Sequence, residues 1–162
     1  MTGPVRNILV YIDGTEQSVT AAQYAITLCK ATGAELTALY IINTRALSDL
    51  LKARIFIQEE QAEYQRDLEA DAEKYLNHVR NLARQKGLSI DIVSESGTVH
   101  TVIKEKVQDL DIDLLVIGEL SHIRSRRDEL YNEAERAMRS VPCSVLIVKD
   151  EERVWGLFDS LV

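Results

Sequence analysis

The sequence predicts an α/β protein built on an open, five-stranded parallel sheet with helices on both faces. Short apolar runs alternate five times with segments whose apolar residues recur every three or four positions. The runs are continuous rather than alternating, as expected of strands covered on both sides. Turn and cap residues separate the two kinds of segment. Parallel strands of this kind are joined by helical crossovers. Ligands bind such sheets beyond the carboxyl ends of the strands, where the strand order reverses.

The first strand is Arg6 to Ile12, RNILVYI. DGTEQS turns the chain, and Val19, Ala22, Ala25, Ile26 and Cys29 then repeat at helical spacing as far as Gly33. Leu36 to Ile42 forms the second strand. Residues 44–57 contain apolar pairs without a clean period. From Gln58 a long helix follows, with Tyr64, Leu68, Ala72, Tyr75, Leu76, Val79 and Leu82 on one stripe. Its acids, Glu59 to Glu73, read as a solvated face. Gly87 ends that helix, and Leu88 to Val93 is the expected third strand. Gly97 and Thr98 open a helix carrying Val99, Val102, Ile103, Val107 and Leu110, and Asp113 to Ile117 is the fourth strand. Leu130, Ala134, Ala137, Met138 and Val141 make a further helical stripe, which Pro142 stops. Ser125 and Asp128 read as its start signal, near Arg126. Cys143 to Val148 is the fifth strand. Two turns suit a ligand crevice: Asp13-Gly14-Thr15 after strand one, and Gly118 onward after strand four.

The 162 residues suit one domain with a substantial core. Apolar residues make up 46% and charged residues 28%, a globular profile. With 26 acids against 19 bases the formal net charge is −7, which argues against nucleic-acid or anionic-membrane partners. No segment is long and apolar enough to span a bilayer, and MTGPVRN lacks a signal-peptide pattern, so a cytoplasmic protein is expected. Cys29 and Cys143 fall on different elements in apolar company and read as reduced core residues. His78, His100 and His122 are scattered, and no metal-ligand spacing appears. No nucleophile, base and acid form a set, so no enzyme is predicted. His122, a lone loop histidine, reads as surface.

ILVYIDGTEQS, LYII, SGTVHTVIKEKVQDLDIDLLVIG and AERAMRSVPCSVLIV together resemble the universal stress protein family over residues 5–149. The resemblance implies a Rossmann-like sheet in the order 3-2-1-4-5, with the switch point between strands one and four. It implies residues 1–149 as the family domain and 150–162 as an extension. It further implies a homodimer through the last strand, Cys143, Ser144, Val145, Leu146, Ile147 and Val148. Nucleotide-binding members share G-x2-G-x9-G-S, in which glycines let backbone amides approach phosphates. Here Gly118 matches the first glycine, Ser121 replaces the second, and Tyr131 and Asn132 stand for the last pair. The expectation is therefore no bound cofactor, with ATP or AMP in an altered pose as the alternative.

Vestigial nucleotide contacts on this resemblance are Asp13, Thr15, Ile41, Gly118, Ser121 and Asn132. Asp13 and Thr15 also read as caps of the following helix, the stronger reading. Ile41 would line a base, but a buried strand needs an apolar residue there regardless. Arg124, Arg126 and Arg127 could clamp a phosphate. Residues 118–133 hold three bases and four acids, 3 − 4 = −1, so a solvated, salt-bridged turn is preferred. In the extension, Val154, Trp155, Leu157, Phe158, Leu161 and Val162 fall at amphipathic-helix spacing. That helix is expected to pack on its own subunit or across the dimer, with Trp155 buried there. A docking helix for an unidentified protein partner is the other reading.

Overall fold

A computed structural model describes residues 3–44, 58–119 and 133–162. Its strands are β1 (Asn7–Ile12), β2 (Glu35–Asn43), β3 (Asp91–Gly97), β4 (Leu114–Gly118) and β5 (Ser144–Val148). Its helices are α1 (Glu16–Thr32), α2 (Gln58–Gln85), α3 (Val99–Asp109), α4 (Glu133–Ser140) and α5 (Glu151–Asp159). All four strand pairings are parallel, and the order is β3-β2-β1-β4-β5. The predicted architecture and order are thus the observed ones.

Successive residues of β1 feed two cores, because strand side chains alternate between faces. Ile8, Val10 and Ile12 join Ala22, Ala25 and Ile26 of α1, Leu76 and Val79 of α2, and Val154 and Phe158 of α5. Leu9 joins Leu39 and Ile41 of β2, Val102 and Ile103 of α3, and Ala137 of α4. Cys29 belongs to the first core and Cys143 packs against the second, so the sheet separates the two free thiols. Burial raises the pKa of both, most strongly at Cys29.

The third strand begins at Asp91, three residues later than the apolar run suggested. After α2 the Leu88 N–H returns to the Ala83 carbonyl at 2.9 Å. Leu88 and Ile90 then pack beneath the sheet, and pairing runs from Thr37 with Asp91 to Asn43 with Gly97. The polar residues Ser94, Glu95 and Ser96 belong to an edge strand, where one side needs no apolar cover.

The tail is helical, as its spacing predicts. Val154 and Phe158 are its buried seam against α1 and the first core. Lys86 clamps its end, lying 4.8 Å above the Phe158 ring and donating to the Leu161 carbonyl at 3.2 Å. Trp155 is not part of the seam. Within one chain it remains 38% exposed, and its indole N–H donates to Thr20 Oγ1 at 3.3 Å.

Candidate functional site

β1 and β4 are neighbours, while the chain has moved from β1 outward to β2 and β3 before returning. The order therefore reverses between β1 and β4, and a crevice opens at their carboxyl ends. Gly118 ends β4 there. A Cβ on it would stand 2.6 Å from the Gln17 carbonyl oxygen and 2.9 Å from the Ser18 nitrogen. The glycine is thus required by the close approach of α1 to β4, whatever the crevice holds.

The turn after β1 is a closed set of polar bonds. Asp13 Oδ1 accepts from the Thr15 N–H at 2.9 Å and the Thr15 hydroxyl at 2.5 Å. Thr15 is the N-cap of α1, its Oγ1 accepting from the Ser18 N–H at 3.2 Å. The Ser18 hydroxyl donates to the Thr15 carbonyl and accepts from the Asp13 N–H. Capping therefore falls to Thr15, and the expectation of a capping role for Asp13 is corrected. Asp13 is one bond removed, because the chain needs its side chain to orient the threonine. Gly14 bridges the two with φ +84°, and a side chain there would meet the Tyr75 ring at 3.0 Å. The second Asp13 oxygen has no partner among the described residues.

Beside this turn lies a cavity of about 200 Å³. Tyr11, Asp13, Tyr40 and Asn43 give it polar walls, and Ile41, Leu68 and Val99 apolar ones. Ile41 is buried, as expected of its strand. Tyr40 stacks on Tyr75, with ring centroids 6.1 Å apart and planes 7° from parallel. Burial chiefly, then the charges of Asp13, Tyr40 and Glu133, push the Tyr11 phenol far above its usual range. The Tyr40 phenol is raised by burial and by Asp71, Tyr75 and Asp13.

Glu133, the first residue of α4, reaches the start of α3. Its Oε2 accepts from the His100 backbone N–H at 3.1 Å and lies 2.5 Å from His100 Nδ1. Thr98 occupies the N-cap of α3 but makes no side-chain capping bond. A carboxylate from another helix thus satisfies an amide that a cap would otherwise take. Burial opposes ionisation of Glu133, but the bonds from His100, with Arg136 nearby, hold its pKa below the ordinary value.

Of the residues marked in the sequence, Asp13, Thr15 and Ile41 come together around this crevice, and Gly118 backs it. Ser121 and Asn132 lie outside the described residues, as do His122, Arg124, Arg126, Arg127, Tyr131 and the helix start near Arg126. Sequence reasoning missed Tyr11, Tyr40, His100 and Glu133. Tyr11 had a visible signal, a hydroxyl-bearing ring in the last turn of a buried strand, two residues before an acid. The His100–Glu133 pairing joins residues 33 apart and had none.

A model of the universal stress protein family matches residues 4–149. The chain belongs to that family. A universal stress protein of Staphylococcus haemolyticus is 26% identical over 149 residues, covering 91% of this chain and 86% of that protein. Among solved structures, a universal stress protein in complex with cAMP has a TM-score of 0.69 at 20% identity, covering 91% of this chain and 99% of that one. A family protein of Arabidopsis thaliana with AMP bound has a TM-score of 0.63 at 14% identity, covering 89% and 91%. These likenesses share the fold described above. The family match ends at Lys149, so helix α5 lies beyond it.

Proposed function

We propose that this protein is a non-enzymatic stress-response or signalling homodimer of the cytoplasm, whose crevice does not hold ATP and which acts by binding a protein or another small ligand. One observation carries the reading. Two carboxylates, Asp13 and Glu133, both bear on the Tyr11 phenol at the crevice. A polyphosphate would have to approach that negative field, with serine, tyrosine and asparagine at three of the four motif positions. Calorimetric titration with ATP, AMP and cAMP, repeated on Tyr131→Gly, tests it. No ATP binding tighter than about 0.1 mM is expected. A micromolar constant would overturn the reading and favour the alternative, a nucleotide sensor, which draws support from the cAMP and AMP held by the two solved relatives.

The dimer reading draws on the contrast between the sheet edges. β3 carries Ser94, Glu95 and Ser96, and Lys106 pairs with Glu95 at 2.9 Å. β5 reads SVLIV, with Val145, Leu146 and Ile147 only half-buried. An uncharged apolar edge invites pairing with another strand, here with its twin. The nucleic-acid and membrane partners excluded by charge stay outside the proposal; among the described residues no helix is long and apolar enough to cross a membrane. Light scattering should report a dimer at micromolar concentration, shifted toward monomer by Val145→Lys or Ile147→Lys. A monomeric parent protein would sink the assembly claim.

A further inference from the structure

We infer that the 200 Å³ cavity at the carboxyl ends of β1 and β2 is a site for a small primary amine, bound as its ammonium ion. The inference rests on the reading of this crevice as one that does not hold ATP, and it names the class of small ligand that fits instead.

The chemistry of the walls is one-sided. Asp13 brings a full negative charge, and one of its oxygens is already committed to Thr15. The other has no partner among the described residues and is free to accept. Tyr11 and Tyr40 bring phenol oxygens, each of which can accept as well as donate. No lysine, arginine or histidine is among the described lining residues. Lys74 sits 5.6 Å from the centroid of Tyr75, the ring stacked on Tyr40. Tyr75 occupies the far side of the Tyr40 stack.

The electrostatic surroundings agree with the geometry. Both phenols are held in their neutral form, by burial first and then by neighbouring negative groups: Asp13 and Glu133 at Tyr11, Asp71 and Asp13 at Tyr40. The carboxylate part of that effect favours a cation in the same place, while burial disfavours any unpaired charge, so an ammonium there must pair with Asp13. An ammonium group carries three donors and no acceptor, which suits the Asp13 carboxylate and the two phenol oxygens. A carboxylate or phosphate would meet Asp13 directly. The remaining walls, Ile41, Leu68 and Val99, suit an apolar stem on that ammonium. The cavity is small, so the stem is short.

Three probes that share one stem and differ in charge provide the test: n-butylamine, n-butanol and butyrate at neutral pH. They are titrated into the full-length protein while the backbone amide resonances of Asp13, Asn43 and Val99 are followed. The amine should bind about tenfold more tightly than the alcohol, and butyrate should leave these resonances unmoved. In Asp13→Asn the amide oxygen can still accept from Thr15, so the turn is kept while the charge is lost. That variant should bring the amine down to the alcohol's affinity, and Tyr40→Phe should weaken the amine by a smaller factor. Equal binding of amine and alcohol, preferred binding of butyrate, or no binding by any probe would each overturn the inference. Micromolar ATP binding alongside these results would overturn the proposed function instead, so the two failures are distinguishable.

Discussion

The two ends of the sheet each use an acid to brace the fold, but they use it to different extents. At the amino end, Asp113 accepts from the Arg6 N–H through both oxygens, at 3.1 and 2.9 Å, and from the Asn7 N–H at 3.0 Å. Both oxygens of that carboxylate are engaged. The cleft there is larger, about 810 Å³, but it is an open groove between strand starts whose Asp113 is engaged through both oxygens. At the carboxyl end, Glu133 is consumed in the same way by His100, whereas Asp13 commits one oxygen to Thr15 and keeps the other. The smaller cavity is therefore the one in which a half-engaged carboxylate stands beside apolar walls. Size alone is a poor guide to a binding site; unspent polar valence beside an apolar wall is a better one.

The largest effect is expected at Gly118, where the carboxyl end is held by contact rather than by charge. Gly118→Ala forces a methyl group against the Gln17 and Ser18 backbone. It should cost about 3 kcal/mol, lowering the melting temperature by roughly 6–12 °C. A shift under about 2 °C would mean that α1 can retreat from β4. Asp113→Ala comes next. It removes the brace for one exposed and one partly buried N–H group, so about 2 kcal/mol is expected in urea unfolding, with no effect on small-ligand binding at the opposite end. Any change in the crevice resonances would blur the division between the ends.

Glu133→Gln should have the smallest effect, about 1 kcal/mol, the scale of a lost helix cap. Its pH dependence carries more information than its size. The folded-state pKa of Glu133 lies below the ordinary value, so its contribution is fully present above the unfolded pKa, near 4.3. It fades as the pH falls through the folded pKa. The parent and Glu133→Gln should accordingly differ at pH 7 and converge in acid. A gap that persists or widens in acid would contradict the assigned role.

How much of this could be read from the residues follows from burial and from distance along the chain. β1, β2 and β4 lie in the sheet interior, and their apolar runs marked them to within a residue. β3 is an edge with polar Ser94, Glu95 and Ser96, so its apolar neighbours Leu88 and Ile90 drew the expected strand three residues early. Asp13 and Thr15 were recognised as a capping turn, but which of the two caps depends on side-chain reach. Gly118 was read through phosphate chemistry, while its packing reason involves α1, a hundred residues away. Trp155 was expected to be buried in the dimer, which a single chain does not test. Within one chain the α5 register puts Val154 and Phe158 in the core, and Trp155 lies at the rim with its indole N–H on Thr20. The family resemblance could not anticipate Glu133 on His100, since that bond belongs to the packing of α3 against α4.

The clamp of Lys86 on Phe158 and Leu161 has a practical side. α5 runs parallel to α1 and brings the last residues to the start of the sheet, where α2 ends and the chain approaches β3. Val5 and Arg6 enter the sheet at that same side, next to Asp113. A fluorophore, an affinity handle or a surface tether carried by a residue on this side, such as the exposed Arg6, would thus sit a strand's length away from Tyr11 and Asp13. Immobilised in that orientation, the molecule would present its crevice to solution, which suits it to screening amine libraries on a sensor chip.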